Sequence, residues 1–220
     1  MKNIKYLLAS FMLMAATAAS AQFANQSSQS SASAADAWQS LKISYSSYTI
    51  DEDGADLDPA SSLTLGYAKS FAISQNLPLF VETGVNASYT FGEVLSEKYD
   101  YVKSTASVSM FTVGIPVNLG YKFAINDEVS IFPYAGINLK YHIKGEIEIE
   151  AKGGGYSDSE TLDMFDSDEG DGDKFQYGLQ IGANLNYKKF IVGVSYGFEL
   201  NEIMEETKTN ALTLTLGVNF

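Results

Sequence analysis

Along most of this chain apolar and polar residues take turns. Strict alternation marks a strand with one face in an apolar medium and the other face out of it. The pattern recurs in eight segments: Ala37–Ile50, Ser62–Ile73, Pro78–Gly92, Val108–Phe123, Val129–Glu150, Phe175–Tyr187, Phe190–Leu200 and Ala211–Phe220. Outside an apolar run at the amino terminus no stretch carries sustained helical periodicity. The pattern therefore predicts an all-β chain.

The links between segments sort into two kinds. Short ones, "SQNL", "AINDE" and "KK", join the second segment to the third, the fourth to the fifth and the sixth to the seventh. The other four are longer and polar. An up-and-down antiparallel meander produces this when one end of every hairpin is tight and the other is free to grow. Transmembrane barrels are built so, with short periplasmic turns and longer outer loops. Two lysines are poor residues for a two-residue hairpin, so that turn is expected to take in Tyr187 or Phe190. The fifth segment is about twice the ~9–11 residues of a membrane strand, so its upper half is expected to project into the medium.

The kind of polar residue decides which face is outside. A soluble barrel keeps apolar residues within and shows water a surface rich in Lys and Glu. Here the polar face of the sixth segment is Gln176, Gly178, Gln180, Gly182, Asn184 and Asn186, small and neutral enough for a narrow lumen. Its other face runs Tyr177, Leu179, Ile181, Ala183, Leu185, Tyr187, an aliphatic band between two aromatic ends. That arrangement suits lipid. Lys69 is the charge that breaks the apolar face, near the tight-turn end, where a long stem snorkels. The prediction is an eight-stranded antiparallel up-and-down transmembrane β-barrel. Its last strand must close on its first, because an open edge in lipid leaves backbone groups unpaired.

The closing run Leu212, Leu214, Leu216, Val218, Phe220 resembles the C-terminal signal of bacterial outer-membrane proteins. The resemblance implies that the barrel assembly machinery reads this strand. The eight-strand plan, over Ala37–Phe220, is similar to the small barrels of the OmpX, OmpA-transmembrane and opacity-protein group. It looks like the outer-membrane β-barrel domain common in Bacteroidetes. The resemblance implies integral residence in a bacterial outer membrane, with lipid as the first partner.

Residues 1–21 read as a secretory signal peptide: Lys2 and Lys5, an apolar run from Tyr6 to Ala16, then the small residues Ala19-Ser20-Ala21. Residues 22–36 are Ser, Gln and Ala, a flexible leader with too little apolar surface to order itself. The barrel domain is expected over residues 37–220. There is no Cys, which excludes a disulfide framework and a cysteine-zinc site. The net charge is −13, and losing Lys2 and Lys5 with the signal takes it to about −15. Every basic residue is Lys and there is no Arg. Nucleic acid, which needs clustered basic residues, is excluded as a partner.

No residue is assigned to catalysis, cofactor binding or metal binding, and no cofactor is implied. Acids crowd at Asp158, Glu160, Asp163, Asp166, Asp168, Glu169, Asp171 and Asp173, and again in "DEDGADLD". Their spacing fits no EF-hand, so they read as solvated outer loops. His142 is the sole histidine, on the inward face with Lys140 and Lys144. It reads as structural, since no Ser stands two residues away as an outer-membrane deacylase pattern requires. Lys42, Glu82, Lys122, Lys140 and Glu199 point inward by parity and are expected to pair and pack, Glu82 with Lys122 and Lys140 with Glu199. Trp38 reads as an interfacial anchor. The function expected is a non-enzymatic surface protein presenting acidic loops and a protruding sheet edge to an extracellular partner, for adhesion, host contact or envelope integrity. A narrow channel for small solutes and a lipid-modifying enzyme are the alternatives.

Overall fold

The computed structural model describes residues 37–52, 57–74, 77–99, 102–153, 156–166, 172–204 and 207–220. The expected signal peptide and leader, residues 1–36, lie outside them, as do 53–56 of the first acidic loop. The strands are β1 (Trp38–Glu52), β2 (Ala60–Ala72), β3 (Leu79–Tyr99), β4 (Val102–Tyr121), β5 (Phe123–Ala124), β6 (Val129–Gly153), β7 (Tyr156–Asp163), β8 (Phe175–Tyr187), β9 (Phe190–Glu199) and β10 (Thr207–Asn219).

Eight of them close a ring, β1-β2-β3-β4-β6-β8-β9-β10, each antiparallel to its neighbours. The remaining two hang on β6: β5 is a two-residue fragment beside its start and β7 pairs with its far half. The ring seals where β10 meets β1, in unbroken register from Ser40–Asn219 to Glu52–Thr207. Phe220 extends the seam, its N–H donating to the Gln39 carbonyl at 2.9 Å. Every backbone group along the seam thus has a partner, as hydrocarbon demands.

Period-two alternation sets the two faces. Leu212, Leu214 and Leu216 are more than half exposed on the outside, as are Leu65 and Ile181. Exposed rings flank this band. Phe123, Tyr187 and Phe190 sit at the tight-turn end, with half-buried Tyr121 beside Phe123, and Tyr45, Tyr89, Phe111, Tyr141 and Tyr196 at the other. Lys69 lies on this outer face with its ammonium 5.2 Å from the centre of the Phe71 ring. The apolar exterior and polar interior are those expected of a membrane barrel.

Two bulges explain where sequence and structure part. The polar stretch after Gly92, expected as a loop, continues both β3 and β4 as far as the Tyr99–Val102 pair. A register shift between Glu93 and Leu95 breaks the alternation there and hides the strand. The second bulge lies in β6, where Phe111 pairs with Lys144 but Thr112 pairs with His142. Ile143 is the extra residue. Parity flips beyond it, so Lys144 points outward and meets Glu146, instead of joining His142 within. The stretch expected to be one acidic loop after β6 also contains β7. Strands β3, β4, β6 and β7 run on past the ring as a four-stranded sheet.

The turn after β8 needs only Lys188 and Lys189, since Tyr187 and Phe190 pair directly. This corrects the expectation of a wider turn. Lys188 takes φ 53°, a left-handed conformation that L side chains enter at a cost. It is held there by Glu128, whose carbonyl accepts from the Lys188 N–H at 2.7 Å and whose carboxylate lies 3.1 Å from the ammonium. Asn tolerates this conformation better. Lys188→Asn is expected to raise stability by about 0.5–1 kcal/mol, read as a higher urea midpoint for unfolding from lipid vesicles. A lowered midpoint would contradict the strain.

Candidate functional site

The interior is built in layers. At the tight-turn end Trp38, Phe80 and Phe132 meet, with ring centres 4.7 Å apart for Trp38–Phe80 and 5.7 Å for Trp38–Phe132. Phe80 and Phe132 are 2% and 1% exposed. Gly120 makes room for them, because a Cβ there would lie 2.3 Å from the Phe132 ring. Trp38 is therefore part of a plug inside the barrel, and not the interfacial anchor expected. Its parity is that of Ser40 and Lys42, and the first residue of a strand obeys the strand. Lys122 lies at the plug's rim, 4.8 Å above the Trp38 ring.

Above the plug is the first ion pair. Glu82 takes Lys42 at 2.7 Å, and not Lys122. Gly217, opposite Lys42 on β10, leaves room for its stem, since a Cβ there would lie 3.2 Å from the Lys42 Cγ. Glu82 also accepts from Ser70 and from Asn118, each at 3.4 Å, and Asn118 in turn accepts from Gln180 at 2.6 Å. A polar bar thus spans the lumen from β1 to β8. The second pair forms as expected: Lys140 donates to Glu199 at 2.5 Å and to the Tyr48 hydroxyl at 3.4 Å. Gly178 leaves the gap that Glu199 fills.

His142, 1% exposed, is held from both sides. Its Nδ1 lies 2.7 Å from the Thr112 hydroxyl and its Nε2 2.8 Å from the Gln176 amide oxygen. Phe165 stacks over the ring, centres 5.7 Å apart and planes 7° from parallel. This ring comes from the chain after β7, which dips into the barrel mouth with buried Met164. Ile203, from the link after β9, is buried beside it and ties back through its carbonyl to the Asp173 N–H. The sequence marks Gln176 as one of the luminal residues of its segment and gives Thr112 no role. Their parity marks them as inward, but the alignment of β4, β6 and β8 that brings them to His142 is set by register.

Among the described residues the acids do not gather. Asp158, Glu160 and Asp163 are spaced along β7, whereas Asp168, Glu169 and Asp171 lie outside the described residues. Asp163 and Asp173 each accept a backbone N–H two residues on. Outside the membrane span, Glu150 accepts from Lys152, which holds its carboxyl below the usual range.

A closed eight-stranded ring with a lipid-ready exterior, a plugged polar lumen and a sheet raised above one end defines a small outer-membrane barrel. The chain belongs to the outer membrane protein β-barrel domain family, whose model matches residues 7–220. No curated protein matches it in sequence. Among solved structures it is similar to Ail, the attachment invasion locus protein of Yersinia pestis, at 19% identity and TM-score 0.41, over 83% of this chain and 98% of that one. Neisserial surface protein A is similar at 11% identity and TM-score 0.43, over 83% and 97%. The outer-membrane enzyme PagL is similar at 17% identity and TM-score 0.44, over 80% and 98%.

Breaking a buried pair strands a charge, at a cost of about 3–5 kcal/mol. Lys42→Met is expected to destabilise by that order, and Lys42→Met combined with Glu82→Gln to recover most of the loss. Lys122→Met and Glu82→Gln are expected to add without coupling. Urea unfolding of the two double-mutant cycles in vesicles checks both statements. Coupling only in the Lys122 cycle would reverse the assignment.

Proposed function

We propose that this chain is a non-enzymatic surface protein of the bacterial outer membrane, whose projecting sheet recognises an extended protein segment by strand addition. We take the tight-turn end as periplasmic, following the plan of outer-membrane barrels. The raised sheet then stands in the external medium. Export by way of a cleaved signal at residues 1–21, and assembly through the closing strand β10, complete the reading.

One observation carries it. Among the described residues β7 pairs with β6 alone, so its second edge presents N–H and C=O groups to the medium along Tyr156–Leu162. An open edge is a template for another strand. The edge bears Asp158, Glu160 and Asp163 and no basic residue, which favours a lysine-bearing partner. The plug of Trp38, Phe80 and Phe132 weighs against a solute conduit. A lipid-modifying enzyme stands as a second reading because the Thr112 hydroxyl and His142 sit as a nucleophile and its base do. Phe165 over the ring and the near-complete burial of both groups weigh against it. Lipid A of unchanged mass in cells with and without the protein is the result expected.

The probe for strand addition is a synthetic peptide alternating Lys and Val, added to the barrel in nanodiscs. Its binding is expected to slow amide hydrogen exchange along residues 156–163 and to weaken as salt is raised. Pro in place of Ser159 or Thr161 is expected to abolish the protection while the unheated protein keeps its fast migration in SDS. Binding that leaves the exchange of 156–163 unchanged would overturn the proposal.

A further inference from the structure

The lumen is not filled. A cavity of about 590 Å³ runs from Lys42 and Glu82 up to Met164, Ile203 and Met204. That is within the ~300–1,000 Å³ of small-molecule sites. It exists because the residues lining β1, β2 and β10 are small, and its two halves differ in chemistry.

Toward the plug the wall is a ladder of hydroxyls. Ser44 pairs with Thr215 and Ser46 with Thr213, each at 2.8 Å, and Thr64 donates to Ser88 at 3.1 Å. All six line the cavity. Each hydroxyl has one donor and two acceptor positions, so every pair keeps a donor and several acceptor positions uncommitted. Toward the mouth the wall turns apolar, with Val108, Met110, Ile147, Met164, Ile203 and Met204. Every methionine of the chain beyond residue 14 is in this group. Packing alone is served better by Leu and Ile. Met is the residue of adaptable apolar binding surfaces, because its thioether is flexible and polarizable.

The charges on the wall are already committed, Lys42 to Glu82 and Lys140 to Glu199. Each pair is neutral as a whole, so a cationic or an anionic guest meets no free counter-charge. A neutral guest with hydroxyls at one end and hydrocarbon at the other matches both halves. We infer that the lumen binds a neutral amphiphile with a single alkyl chain, its hydroxyl-bearing head on the Ser/Thr ladder and its chain among Met110, Met164 and Met204. The aromatic plug closes the far end, so the guest is held and not passed through.

The test uses the barrel in phosphatidylcholine nanodiscs with isotope-labelled methionine methyls, and monodecanoylglycerol as probe. Saturable shifts of the Met110, Met164 and Met204 signals are expected. Each methylene added between the octanoyl and decanoyl esters should tighten binding about fourfold. Val108→Trp, which fills the chain half, should weaken it by at least about tenfold. Ser46→Val with Thr213→Val, which strips the head's partners and keeps the volume, should weaken the ester and leave decane unaffected. Fast migration of the unheated variants in SDS verifies their closure. Shifts that never saturate, decanoate binding as tightly as the ester, or variants that bind like the parent would each overturn the inference.

Discussion

Hydrocarbon offers a backbone amide nothing to bond with. An unpaired N–H or C=O there costs several kcal/mol, and a sheet escapes that cost only by having no edge. The seam between β1 and β10 meets this constraint, and the rest of the molecule follows from it. Closure with eight strands fixes a narrow lumen. Narrowness demands small residues where side chains cross, which is why Gly217 lies beside Lys42 and Gly178 beside Glu199. The same alternation that turns leucines to lipid turns Ser, Thr, Asn and Gln inward, where they find one another.

What closes the ring also permits the departure above it. Past the aromatic belt of Tyr89, Phe111 and Tyr141 the solvent is water and edges are tolerated, so β3, β4 and β6 continue and recruit β7. The bulge at Ile143 falls just beyond this belt. It re-aims β6 as the strand leaves the ring, placing Lys144 outside where it reaches Glu146. The molecule has two regimes, one sealed and one open-edged, and the change of solvent separates them.

Much of this was legible in the sequence, since period-two alternation is a strong signal where lipid enforces it. Strand β8 matches its expected bounds at both ends, and Lys140 finds Glu199. Two of the failures share a cause. After Glu93 and at Ile143 a single inserted residue reverses parity, and no count along one chain detects it. Trp38 and Lys122 were misread because the plug depends on three strands arriving at one level, a matter of register. The acid-rich segment concealed β7 because an edge strand in water need not alternate. The Thr112–His142–Gln176 contact is likewise a product of register. The cavity is an outcome of volumes, and strings of Ser, Thr and Gly fill a lumen or leave it empty with the same pattern.

The plug has a spectroscopic corollary. Trp38 is the chain's single tryptophan, and it touches rings delivered by β3 and β6 from across the wall. Its emission therefore reports the arrival of distant strands and not the mere entry of the first strand into lipid. A time course of intrinsic fluorescence during assembly would follow the final act of barrel closure, with no dye attached and no residue replaced.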